Sequence, residues 1–103
     1  MAARSVLIIA GTDSSGGAGL LRDTAVTRDL GIQTRCVVIA VTAQTDRAVA
    51  QSLPMPADIV TAQLNAGLAA DPPDAVKIGM LGNAEIVMAV ASALKGRDVP
   101  VVL

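Results

Sequence analysis

Short unbroken runs of aliphatic and β-branched residues recur along this chain, and each is separated from the next by a longer stretch with apolar residues at helical spacing. Val6-Leu7-Ile8-Ile9-Ala10 is the first run, and Cys36-Val37-Val38-Ile39 is the centre of a second that spans 33–41. Residues 75–78 make a third, and Val99-Pro100-Val101-Val102-Leu103 begins a fourth. Between them, residues 18–30 read as a helix ended by Gly31. Residues 57–70 read as a second helix, with Ile59, Val60, Gln63, Leu64, Gly67 and Leu68 three and four apart and Asp71-Pro72-Pro73 as its stop. Asn83 caps a third helix that reaches about Lys95. A strand that is apolar at every position needs cover on both faces, so this order predicts an α/β fold, a parallel sheet in a three-layer αβα arrangement. Successive strands are then joined by right-handed crossovers, and ligands are expected beyond the carboxyl ends of the strands. Residues 42–56 interrupt the pattern as a polar, proline-containing excursion, with room for a short strand at 48–53.

The composition removes several classes of function. Hydrophobic residues make up 52% of the 103, yet Phe, Tyr and Trp are all absent, so the core depends on many aliphatic contacts. A net charge of −1 and the lack of aromatic rings argue against a nucleic-acid partner. With one cysteine and no histidine, an internal disulfide, a Cys/His zinc site and Ser-His-Asp or Cys-His catalysis are ruled out. Cys36 reads as a small buried core residue. The apolar stretch at 6–10 is too short for a signal peptide and no run is long enough to cross a bilayer, so the expectation is a soluble cytoplasmic protein without a membrane partner. Leu103 falls inside the last strand, so residues 1–103 are expected to be the N-terminal part of a larger single domain, cut in its fourth strand.

Three segments that follow strands can carry chemistry. Gly11-Thr12-Asp13-Ser14-Ser15-Gly16-Gly17-Ala18-Gly19 leads into the first helix, whose N-terminal N–H groups are unpaired. It is neither a Walker A loop, since Gly17 and Ala18 follow Gly16, nor a dinucleotide fingerprint, since Arg22 stands where glycine is required. By itself it reads equally as a ligand cradle or a tight turn. Thr42-Ala43-Gln44 offers an amide whose donor and acceptor match an aminopyrimidine edge, though a surface glutamine is the plain alternative. In Val76-Lys77-Ile78-Gly79-Met80-Leu81-Gly82, Met80 is suited either to a flat ring or to the core, and Lys77 in a strand calls for an ion-pair partner. Asp23 sits one to two turns into the first helix, as a pocket residue or a helix-stabilising acid.

In order and spacing, these motifs resemble the hydroxymethylpyrimidine/phosphomethylpyrimidine kinases of thiamine biosynthesis, from about Val6 to Leu103. The resemblance implies the N-terminal portion of a ribokinase-like fold. It also implies ATP- and Mg²⁺-dependent phosphorylation of 4-amino-5-hydroxymethyl-2-methylpyrimidine and then of its monophosphate. By the same resemblance Gln44 holds the pyrimidine edge, and Gly11, Asp23 and Met80 line the pocket. No catalytic or metal-binding residue is assigned, because the family's Asp-Pro segment, nucleotide loops and anion hole lie beyond Leu103. Thr24 and Thr12 depart from residues common in the family. A homodimer is implied, through the region of residues 48–53. Two other readings stand beside this one: a pyridoxal-type kinase of the same superfamily, disfavoured by Gln44, and a non-catalytic small-molecule binding domain. The chain alone is expected to be inactive and poorly stable.

Overall fold

The computed structural model describes residues 4–69 and 71–103. Four strands form one parallel sheet in the order β2-β1-β5-β6: β1 is Ser5–Ala10, β2 Gln33–Val38, β5 Ala75–Ile78 and β6 Val101–Val102. The strand-to-strand alternation of β1 divides its residues between two cores. Leu7 and Ile9 pack with Val60, Leu64 and Leu68 of helix α2 (Ala57–Ala69) and with Ile86 and Val90 of helix α3 (Ala84–Leu94). Ile8 and Ala10 face the other way, against Leu20 of helix α1 (Gly19–Asp29). Helices therefore cover both faces of the sheet, as the unbroken apolar runs require. The β1-to-β2 and β2-to-β5 connections run in opposite directions across the sheet, so crossovers of one hand put α1 and α2 on opposite faces, which is the arrangement seen.

The ends of the helices follow from local chemistry. Asn83 Oδ1 accepts from the Ile86 amide at 2.9 Å and caps α3. After α1, the Gly31 amide donates to Arg28 O and the Ile32 amide to Thr27 O, a Schellman closure that needs the positive φ of Gly31, 72°.

The second predicted strand, 33–41, is in fact two strands in different sheets. β2 stops at Val38, and β3 (Ala40–Gln44) turns away to pair antiparallel with β4 (Val49–Pro54). The break has a packing cause. Ile39 and Ala40 are consecutive, yet both are buried in the core shared with α2 and α3, which an unbroken pleat does not allow. The Ile39 amide donates to Ala10 O at 3.0 Å and the Met55 amide to Ile39 O at 2.8 Å, so both arms of the new hairpin are tied to the sheet. The polar excursion is thus an ordered two-stranded flap, and the expected short strand at 48–53 is β4. Cys36 is also placed differently from its expectation. It is exposed, because β2 is an edge strand.

Candidate functional site

β1 is flanked by β2 on one side and β5 on the other, so the chain reverses direction across the sheet at the carboxyl ends of β1 and β5. In open α/β sheets ligands bind at such a point. A cavity of about 260 Å³ opens there, walled by the loop after β1, by β3 and by the end of β5. Gly11, Asp13, Thr42, Gln44, Lys77 and Met80 line it.

The loop is held in shape by its own side chains. Asp13, 5% exposed, accepts from the Ser15 amide at 2.8 Å and from the Ser15 hydroxyl at 2.6 Å. The Ser15 hydroxyl, against the opposing effect of burial, holds the Asp13 carboxyl below the usual carboxylate range, and the amides of Ser15, Ala18 and Gly17 reinforce it. Helix α1 starts close against the strand. The Leu20 amide donates to Gly11 O at 3.0 Å, and a Cβ on Gly19, whose φ is 64°, would lie 2.5 Å from that same oxygen.

The loop is also stitched to β3. Ser14 Oγ accepts from the Gln44 amide at 2.8 Å and donates to Gln44 O at 3.0 Å. The Thr12 amide donates to Ala40 O at 3.0 Å, and the Thr42 amide donates to Thr12 Oγ1 at 3.2 Å. The hydroxyl of Thr42 meets both Thr12 O and, at 2.8 Å, Oε1 of Gln44. One hydroxyl carries one proton, and the Thr12 carbonyl can only accept, so the proton goes there. As placed, Oε1 of Gln44 faces the Thr42 hydroxyl; the amide has the same outline either way round, and turned over its NH₂ group would donate to the Thr42 oxygen. In both orientations the amide keeps an acceptor lone pair and an N–H for a ligand edge.

Lys77, which lines the cavity, is held by an ion pair. Lys77 Nζ lies 2.7 Å from Asp23 Oδ2, joining β5 to α1, with the two side chains 39% and 20% exposed. Met80, 59% exposed, closes the side next to Gly11: a methyl group added at Gly11 would lie 3.8 Å from Cε of Met80. A planar amide, a thioether and glycine backbone at close range suit a small flat ligand with a donor-acceptor edge. A wider depression of about 920 Å³ lies at the other end of the sheet, lined by Ser5, Gln33, Thr34, Arg35, Asp71, Pro72 and Asp74. Two of its charged side chains are engaged by the fold. Arg35 donates to Gly67 O and Asp71 O, both at 2.7 Å, and Asp74 accepts from the Ser5 amide at 2.7 Å.

A family model described as phosphomethylpyrimidine kinase matches residues 13–103. The chain belongs to the phosphomethylpyrimidine kinase family. It is 42% identical over 98 residues to a hydroxymethylpyrimidine/phosphomethylpyrimidine kinase of Streptomyces coelicolor, a match covering 95% of this chain and 36% of the relative. The crystal structure of a phosphomethylpyrimidine kinase from Clostridium difficile superimposes with a TM-score of 0.88 at 35% identity, over 93% of this chain and 42% of that one. A pyridoxal kinase from Staphylococcus aureus in complex with ADP gives 0.84 at 30% identity, over 96% and 37%. The fold is ribokinase-like, and the chain spans little more than a third of the length of the first of these relatives.

In this phosphomethylpyrimidine kinase family member, three of the four residues expected at the pocket, Gly11, Gln44 and Met80, line one cavity. Asp23 is not among the lining residues and reaches the cavity through Lys77. Thr42, Asp13 and Ser14 shape the site without having been singled out from the sequence. The signal for Asp13 is its spacing from Ser15, since an Asp two residues before a hydroxyl residue in a glycine-rich stretch favours an Asx turn. Among the described residues no three His, Cys, Asp or Glu side chains gather as a metal site. Both acids near the cavity are already engaged, Asp13 by Ser15 and Asp23 by Lys77.

Proposed function

We propose that residues 1–103 form the N-terminal part of a single ribokinase-like kinase domain and carry its pyrimidine pocket. The whole enzyme would transfer the terminal phosphate of ATP to the hydroxymethyl group of 4-amino-5-hydroxymethyl-2-methylpyrimidine, and then to the monophosphate. The observation that carries this reading is the planar amide of Gln44, which lines the same small cavity as Gly11 and Met80. An aminopyrimidine offers the complementary pair, an exocyclic amine and a ring nitrogen. Met80 lies against the ring, Gly11 lets the substrate approach the backbone, and Asp23 holds Lys77 at the cavity. ATP and Mg²⁺ are assigned to the part of the family's length that this chain does not span. Phosphoryl transfer needs the phosphates positioned and their charge stabilised, and neither task falls to these residues.

The matching pyridoxal kinase structures motivate a second reading, a pyridoxal-type kinase. Gln44 discriminates, because pyridoxal lacks the amine and ring-nitrogen edge. Calorimetric titration of a full-length enzyme carrying these residues with each ligand tests the choice. The pyrimidine binds more tightly than pyridoxal, and Gln44→Ala weakens the pyrimidine by about 1–3 kcal/mol, the cost of leaving buried ligand groups unpaired. Equal binding of both ligands, or an unchanged pyrimidine affinity in the variant, would overturn the assignment. A cytoplasmic setting belongs to the same reading, as does a homodimer formed through the outer face of the hairpin.

A further inference from the structure

The direction in which β3 leaves the sheet is set at residues 38–40, and one side chain takes part in the hydrogen bonding there. Gln63, on the sheet-facing stripe of α2, is the polar member of an otherwise apolar set with Val60, Leu64 and Leu68. Its Oε1 accepts from the Val38 amide at 2.9 Å, and its Nε2 donates to Val38 O at 2.9 Å. One side-chain amide thus supplies the donor and acceptor that a neighbouring strand would otherwise bring to the open edge of β2. The remaining bonds of this corner are backbone to backbone: Ile39 N to Ala10 O, Met55 N to Ile39 O and Thr12 N to Ala40 O. Val38 is the last residue of β2, and Thr42 and Gln44 lie four and six residues further on in β3.

We propose that Gln63 is a positioning residue for the pyrimidine pocket, clamping Val38 to α2 so that β3 leaves the sheet in the one direction that brings Gln44 over the cavity. The proposal rests on the pyrimidine reading for its ligand but not for its mechanism. Without the clamp the last turn of β2 has an unpaired edge, and the hairpin divides its time between the seated orientation and others. A ligand that recognises only the seated form then binds more weakly in proportion to the lost population.

The test uses an isotopically labelled full-length enzyme carrying these residues, with amide exchange and titration by 4-amino-5-hydroxymethyl-2-methylpyrimidine followed together. Gln63→Met keeps the length and packing of the side chain and removes both bonds. Gln63→Glu keeps an acceptor for Val38 N but sets a carboxylate against Val38 O. Both variants are expected to speed exchange of the Thr42 and Gln44 amides by about tenfold relative to those of Val76 and Gly79 in the central sheet. Both should also raise the dissociation constant for the pyrimidine by about 5- to 20-fold. A loss of protection spread evenly over the sheet would assign Gln63 to general stability and overturn the proposal. So would unchanged exchange in the hairpin, or faster exchange with unchanged affinity. If the unsubstituted enzyme takes up no pyrimidine, the reading of the pocket fails, while the exchange comparison still judges the clamp.

Discussion

Gly19 shows how tightly a single position constrains the entrance to α1. Its positive φ is one that residues with a Cβ rarely adopt, and the added atom would lie 2.5 Å from a backbone oxygen that cannot retreat without moving β1. Gly19→Ala is expected to destabilise the chain by about 1–3 kcal/mol, read from urea denaturation, by the combined cost of the strained backbone and the displaced strand end. Asp13 makes its contribution through charge. Its folded-state value is lowered from 3.8, so its stabilisation is present above that pH and is lost as the pH falls through the folded value. Melting temperatures in a pH series are expected to fall below about pH 4 more steeply for the natural chain than for Asp13→Asn. Parallel curves would show that the Ser15 contacts do not stabilise the loop. Cys36 moves in the other direction. Partial burial of the sulfur and then the nearby Asp23 carboxylate push its thiol above the ordinary value, so this exposed cysteine is expected to alkylate more slowly than a free thiol at neutral pH.

At the scale of elements, α2 is held at its C-terminal end from outside. It has no basic residue in its last turn, and Arg35 of β2 reaches across to Gly67 O and, beyond the helix, to Asp71 O. Arg35→Leu is expected to cost about 1.5–3 kcal/mol in chemical denaturation, the range for hydrogen bonds to charged groups. A change within experimental error would mean that water replaces the guanidinium at no loss. Such contacts explain what could and could not be read from the sequence. The parallel strands were legible from their apolar stretches, although β2 opens with Gln33, Thr34 and Arg35 and β5 carries Lys77, and α3 was legible because Asn83 stands at its start. Gly11 and Met80 converge because each follows a strand of the parallel sheet, whereas Gln44, expected just after the second strand, reaches the cavity as the last residue of β3 in the antiparallel hairpin. The hairpin was not legible as a pair. β4 is exposed throughout, so it carries no burial pattern, and the register of β3 shifts between Ala43 and Gln44. Nor did the run through Ile39 betray its break, which is decided by α2, α3 and Met55 rather than by local propensity. Lys77 announced its need for a partner, and the partner, Asp23, lies 54 residues away.

The whole molecule is a sheet with two unlike edges and one flap. At β2 the edge is closed at Val38 by Gln63, whereas β6 is the outer strand on the other side, with Val101 and Val102 exposed. On the flap, the cross-strand pair Val41 and Leu53 faces outward while Thr42 is buried toward the cavity. If copies of the chain associate through that outer face, Leu53→Lys should shift sedimentation toward monomer, since it places a charge in an apolar contact. An unchanged distribution would remove the flap from the interface. The two cavities at opposite ends of the sheet allow the most direct test of the central claim, that the switch-point cavity is a pyrimidine pocket. Titration of a labelled full-length enzyme carrying these residues with 4-amino-5-hydroxymethyl-2-methylpyrimidine, followed by amide chemical shifts, is predicted to perturb Gly11, Asp13, Gln44, Gly79 and Met80 in a saturable manner. Saturable shifts confined instead to Ser5, Thr34, Arg35 and Asp74, or no saturable shift at all, would contradict it.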